Sequence, residues 1–310
     1  MENTRTKTTR NSLILLLTAA IWGMAFVSQS KGMDYMHPFT FNGVRSLIGA
    51  ASILVYILIS RKIAGDKAAK LDWKLNVRAG LLCGIFLTTA STLQQFGIKY
   101  TSVGKAGFIT TLYIIFVPMF GIFLKKKVAP VVWAAAGMAA VGMYLLCMTE
   151  SLRLGAGDIM VFLCAIAFAI QIMTVDHYAA RIDGAVVSCI QFTVCGVVCC
   201  IGALIWGQPT FGQLQDGLGA LLYAGVLSCG VGYTLQIVGQ KGLNPTVAAL
   251  IMSLESVIAT ISGWIAYKIG FLSTDQTLTP RQIAGCVIVF AAVILVQLPP
   301  EWFRFGKKNA

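Results

Sequence analysis

Charge is scarce in this sequence. Asp, Glu, Lys and Arg together make up 12% of its 310 residues, about half the share that a soluble domain carries. So little charge cannot clothe a water-soluble core of this length, and the polar residues come as short runs between long apolar stretches. Histidine is scarcer still. His37 and His177 are the only two, both in expected loops, which argues against a His-based metal or nucleophile site. No glycine-rich phosphate cradle followed by Lys and Ser/Thr occurs, which argues against an ATP-driven pump. The nine cysteines (Cys83, Cys147, Cys164, Cys189, Cys195, Cys199, Cys200, Cys229, Cys286) lie in apolar stretches without metal-ligand spacing and read as small packing residues. Cys199 and Cys200 point about 100° apart on a helix, so they are not expected to pair.

What the chain does have is apolar length. Hydrophobic residues make up 57% and mean hydropathy is +0.79. The net charge of +12 sits in loops and tails. Its densest cluster, Arg61, Lys62, Lys67, Lys70, Lys74 and Arg78, has Trp73 as its one interleaved aromatic, so it reads as a headgroup-facing loop and not as a nucleic-acid surface. Lipid is the expected solvent and partner.

Runs of 17 to 24 residues suit a hydrocarbon core about 30 Å thick. The expected spans are 11–30, 38–60, 79–98, 106–124 and 128–148, then 158–175, 184–206, 217–239, 245–267 and 282–298. Continuous apolar character implies helices and not barrel strands, which would alternate with lumen positions. The polar, basic Met1 to Arg10 segment precedes an apolar run with no credible cleavage pattern, so the first span is expected to be retained. With both tails inside, seventeen Lys and Arg fall on the cytoplasmic side and six on the other. The positive-inside rule therefore favours cytoplasmic termini.

The two groups of five spans correspond. Thr111-Leu112-Tyr113 aligns with Ser253-Leu254-Glu255, Ala106 to Ile109 with Ala248 to Ile251, and Gln95 with Gln236. Small residues seven apart close each half, at Ala135 and Gly142 and at Gly285 and Ala292. An odd number of spans per unit makes the second unit inverted, the arrangement that underlies alternating access. The expected fold is thus all-α integral membrane: ten transmembrane helices as two inverted five-helix repeats. The expected divisions are a tail over 1–10, repeats over 11–150 and 151–300, and a tail over 301–310. Compositional likeness between Ala/Gly/Leu-rich spans is the competing explanation.

Glu255 is the acid deepest in any span, about 15 Å along its helix from Pro245. At that depth a carboxylate should face the bundle interior, take a proton or meet a cation. The stripe Ala248, Met252, Glu255, Ala259, Ser262, Ala266 leaves room beside it, although a structural acid held by a hydroxyl or amide is the alternative. Thr110 and Tyr113 share the matching face of the fourth span, where Tyr113 offers a hydroxyl and a ring. Gln94, Gln95, Gln171, Gln191 and Gln236 together imply a polar, partly hydrated cavity, while each alone serves equally as interhelical glue. Arg45 should snorkel to the outer interface or pair with an acid. Trp22-Gly23 and Pro118 interrupt their helices' surfaces as hinge or packing features.

Several segments carry a family resemblance. They are Ala20-Ile21-Trp22-Gly23, Gly43-Val44-Arg45, Ala106 to Tyr113 leading to Val117-Pro118, Ser253 to Val257, and Pro280 to Gly285. In this order the chain resembles the EamA-like members of the drug/metabolite transporter superfamily over nearly its whole length. The resemblance implies a ten-helix carrier of small organic solutes, often directed outward, with a central cavity lined by the third, fourth, eighth and ninth helices. Two departures stand out. The family's Gly-Glu pair after the ninth helix is replaced by Lys268-Ile269-Gly270-Phe271, and its Leu-Glu-Pro by Leu254-Glu255-Ser256.

The expected function is secondary transport of a small polar or amphipathic metabolite, an amino acid or organic cation, by alternating access at the plasma (inner) membrane. Export is the expected direction. Glu255, Tyr113, Gln95, Gln94, Thr110, Gln236, Gln191 and Trp22 are the expected solute contacts, with Glu255 also the proton-coupling residue. No cofactor, metal or catalytic residue is expected. One copy suffices, with a homodimer as the alternative. The competing functions are a membrane-embedded enzyme acting on a lipid-linked substrate and a passive channel or scaffold.

Overall fold

Apolar segments in lipid must satisfy their backbone internally, and among the described residues every regular element is helical. The computed structural model describes residues 4–65, 71–124, 130–147, 155–273 and 275–297. Eight stretches are long and apolar enough to cross a membrane. Of these, α1 (Thr4–Gly32), α2 (Pro38–Ala64), α3 (Trp73–Ile98) and α4 (Val103–Phe123) come first. After α5 (Pro130–Cys147) follow α6 (Ala156–Tyr178), α7 (Gly184–Gly207), α8 (Leu218–Gly239) and α9 (Pro245–Lys268). The last element is α10 (Pro280–Gln297); α5 and α10 hold the shorter apolar helices Pro130–Gly142 and Pro280–Leu295.

Helix starts follow from local chemistry. Asp72, Ser102, Asp183 and Asn244 each accept a backbone N–H of the first turn that follows them, and Pro38 and Pro245 supply a fixed φ with no orphan donor. Gly270, at φ +74°, ends α9, with the Phe271 N–H returning to the Ala266 carbonyl.

Small residues let helices approach. A Cβ on Gly142 would lie 2.9 Å from the Gly285 carbonyl, so α5 seats closely on α10. A Cβ on Gly97 would lie 2.8 Å from the Gly157 carbonyl, which does the same for α3 and α6. Further packing joins α2 to α7 and α8, α3 to α7, α1 to α8 and α9, and α4 to α6 and α9. Leu54, Leu58, Val197, Ile201 and Leu204 point outward as a lipid-facing surface would require.

Among the described residues α4, α8 and α9 are irregular within their length, and α7 ends in a π-helical turn, Ala203–Gly207. α4 breaks at Leu112, between Val103–Thr111 and Tyr113–Phe123, and α9 breaks at Ser253, between Pro245–Met252 and Leu254–Lys268. At both breaks hydrogen bonds tighten to a three-residue step, Ile115 N–H to Leu112 and Ser256 N–H to Ser253. Hydroxyls of Thr111, Ser253 and Ser256 bond back to carbonyls three residues earlier, which weakens the regular ladder. The α9 break therefore needs no proline. In α8 the segment Tyr223–Gly232 is wound as a π-helix.

Two sequence expectations are corrected. His177 lies in the last turn of α6, not in a loop, because α6 continues past the apolar run. α1 and α3 likewise begin seven and six residues before the expected spans, since a helix need not stop at the hydrocarbon edge. The expected tail 301–310 and Lys125 to Lys127 lie outside the described residues.

Candidate functional site

The two broken helices face each other. Tyr113, first residue after the α4 break, donates its hydroxyl to Glu255 Oε1 at 3.0 Å across the interface with α9. Both side chains are buried, and among the described residues no cation forms an ion pair with the carboxylate. Gly23 allows the close seating of α1 here: a Cβ would lie 2.8 Å from the Glu255 carbonyl and 2.6 Å from Ile258 Cβ.

Glu255 and Tyr113 line a central cavity that leaves about 30 Å³ for the centres of water-sized molecules, enough for one or two waters. Six of the eight residues singled out from sequence line it: Glu255, Tyr113, Gln94, Thr110, Gln236 and Trp22. Gln94 Nε2 donates to the Thr110 hydroxyl at 3.1 Å. Trp22 Nε1 points at the Ser228 carbonyl, 3.4 Å away in the π-helical part of α8. Gln95 and Gln191 are not brought to the cavity lining. Gln95 Nε2 donates to the Gln29 carbonyl at 3.2 Å, and Gln191 is enclosed with no hydrogen-bond partner for its amide among the described residues. Adjacent helix positions point about 100° apart, so Gln94 and Gln95 cannot share a face.

Five further residues take part, and of these only Tyr233 is absent from the sequence reading, which gives the others different roles or none at the site. Gln171 exchanges amide hydrogen bonds with Gln236 at 3.2 and 3.5 Å; it was visible as a buried amide but not as a lining residue. Tyr233 packs between Trp22, tilted by 51° at 4.5 Å, and Phe192, edge-to-face at 4.9 Å between centroids, and forms an aromatic wall. Arg45 neither snorkels nor pairs with an acid. It is 5% exposed on the cavity wall, with Nε on Asn42 Oδ1 at 2.9 Å. Behind it Cys195 and Cys199 contact Asn42, Ser46, Ser91 and Thr92 at 3.3 to 3.9 Å. These two thiols are members of a polar cluster and not only packing residues.

The bundle ends differ. At one, Lys105 Nζ lies 2.6 Å from Asp158 Oδ2, which ties the start of α4 to the start of α6; the Thr101 hydroxyl donates to Asp158 Oδ1 at 2.9 Å. At the other, Arg61, Asp72, Arg181, Asp183 and Lys241 line a depression of about 610 Å³.

Relatives agree with this architecture. An uncharacterized transporter of Archaeoglobus fulgidus is 27% identical over 290 residues, 92% of this chain and 84% of its own length. The uncharacterized transporter YwfM of Bacillus subtilis is 24% identical over 294 residues, 94% of both chains. A protein of known crystal structure superposes with a TM-score of 0.73 over 96% of this chain and 99% of its own, and at 16% identity the likeness concerns the fold alone. The model of the EamA-like transporter family matches twice, over residues 10–148 and 155–298. With apolar helices, a buried polar centre and two matches that cover nearly its whole length, the chain belongs to the EamA-like transporter family, a family of membrane transporters and not of enzymes.

Proposed function

We propose that the protein is a secondary transporter of a small polar or amphipathic metabolite, an amino acid or organic cation, working by alternating access of two inverted five-helix halves. The observation that carries this reading is the Tyr113–Glu255 hydrogen bond, set where α4 and α9 are both interrupted beside a small central cavity that both residues line. Interrupted helices near mid-membrane are where transporters of inverted-repeat design hold their solutes.

The ten-span, two-repeat layout draws support from helix pairing. Exchanging each helix for the one five positions away turns the α1/α9 contact into α6/α4, α3/α6 into α8/α1, and α3/α7 into α8/α2. The double family match has the same periodicity. Charge bias supports cytoplasmic termini in a plasma membrane and an outward direction follows from the resemblance.

The cavity has room for one or two waters and not for a metabolite, so in this reading loading requires the halves to move apart. In the proposed cycle Glu255 takes up a proton or meets a cationic group of the solute, which relieves the cost of a carboxylate at that depth. The solute contacts are Glu255, Tyr113, Gln94, Thr110, Gln236 and Trp22; Gln95 lies behind them on the carbonyl of Gln29, a lining residue.

The test has two steps. A metabolite panel is screened by melting temperature on detergent-purified protein, since a ligand of the folded state raises it. Hits then enter counterflow in proteoliposomes, where acceleration by internal solute separates a carrier from an open channel or a scaffold. Glu255→Gln should slow counterflow and flatten its pH dependence. Wild-type rate and wild-type pH dependence in that variant would remove Glu255 from the mechanism.

A further inference from the structure

Among the described residues Arg45 is a buried cation that forms no ion pair. Two turns into α2, it shares the central cavity with Glu255. Its Nε bonds to Asn42 and its guanidinium carbon sits 5.5 Å from the centre of the Phe41 ring. Among the described residues neither terminal nitrogen has a hydrogen-bond acceptor or an acidic partner. A guanidinium carries five donors and stays protonated in proteins. Unlike Glu255, it cannot shed its charge when buried.

Its placement is supported from behind. Asn42 spends its amide N–H groups on Ser91, at 3.1 Å, and on Cys199, at 3.3 Å. That fixes the amide so that its oxygen faces Arg45. Tyr113 holds Glu255 in the same manner. A guanidinium and a carboxyl group thus line one cavity, each held by its own neutral partner, and among the described residues they form no ion pair with each other. The packed rings of Trp22, Tyr233 and Phe192 add an apolar wall.

Resting on the carrier reading above, we propose that Arg45 is the carboxylate-binding residue of the cavity and that the solute is zwitterionic, an α-amino acid or a close relative, with its ammonium group at Glu255. A free guanidinium fork matches a carboxylate with two parallel hydrogen bonds. Glu255 matches an ammonium, and the aromatic wall favours an apolar or aromatic side chain. Organic cations without a carboxylate would leave Arg45 unanswered.

The experiment compares matched probes on detergent-purified wild type by melting temperature. They are phenylalanine, phenylethylamine and 3-phenylpropionate, with the corresponding leucine set and the remaining common amino acids. At least one amino acid should stabilise the protein, and its amine and acid relatives should bind at least tenfold more weakly. Arg45→Gln should weaken the amino acid by about 30-fold or more, and Arg45→Lys by less. The proposal is overturned if no amino acid binds, if the amine binds as tightly as its amino acid, or if Arg45→Gln keeps wild-type affinity. Should Arg45→Gln fail to fold, the wild-type comparison of amino acid with amine decides alone. Counterflow separates the two levels. If amines exchange and amino acids do not, the zwitterion assignment falls and the carrier stands; if no solute of any class exchanges, the carrier reading falls with it.

Discussion

The Tyr113 hydroxyl and the Glu255 carboxylate, 142 positions apart in sequence, meet at 3.0 Å just past the interruptions of α4 and α9. They are also the residues that correspond when the two halves of the sequence are aligned. In the proposed two-repeat layout one bond therefore joins equivalent points of the two halves. In a rocking mechanism such a contact lies close to the axis about which the halves exchange roles, where displacement is smallest and a solute can stay bound.

Tyr113→Phe should lower stability by about 1 kcal/mol, in line with interhelical hydrogen bonds in membranes. Because the two side chains share one bond, Tyr113→Phe in a Glu255→Leu background, where no acceptor remains, should cost less than in wild type. Thermal unfolding of the four proteins in detergent measures the difference. Strict additivity would mean that the bond contributes nothing.

The reciprocal amides of Gln171 and Gln236 make a sharper case. Gln236→Leu strands the Gln171 amide beside the cavity, with an expected loss of about 1 to 3 kcal/mol. Replacing both with Leu removes the stranded group, so the double variant should be more stable than the single one. Melting temperatures of the single and double variants check the order.

Much of this was legible from sequence, for physical reasons. Apolar runs longer than the hydrocarbon core mark the helices of a membrane chain, and Glu255 stands out because lipid has no other place for a mid-span acid. Helix facing was harder to read. A span that is apolar all round gives weak periodicity, so Arg45 looked like an interfacial anchor and Gln95 like a lining residue. Backbone irregularity was hidden too. The α9 break arises from serine hydroxyls bonding to carbonyls, with no proline to announce it, and the π-helical winding of α8 has no local sequence mark.

His37 predicts a pH effect outside the membrane. Burial, and after it the nearby positive charge of Lys99, holds its imidazole below the ordinary value of 6.5. Its neutral Nδ1 accepts the Phe39 N–H at 3.3 Å and caps α2. At acid pH the unfolded chain binds a proton that the folded chain resists. This contribution to stability is therefore full above pH 6.5 and lost as pH falls through the lower folded value. His37→Asn keeps a cap without the titration. Its melting temperature should fall less than that of wild type as pH drops below 6.5, and parallel curves would refute the linkage.

Gly23→Ala tests the seam between α1 and the acid. The added methyl would meet Ile258 Cβ at 2.6 Å and the Glu255 carbonyl at 2.8 Å, both closer than real Cβ contacts. Overpacking of this kind costs about 1 to 3 kcal/mol. The helix must also move, and Trp22, next to Gly23, would carry its Nε1 away from the Ser228 carbonyl. Ile258→Ala in the same chain removes the Cγ2 contact at 2.7 Å but leaves the contacts with Cβ and with the Glu255 backbone. The double variant should therefore recover part of the lost melting temperature and only part of the transport rate. Full recovery of both would show that the close approach to the Glu255 backbone has no role in holding the site.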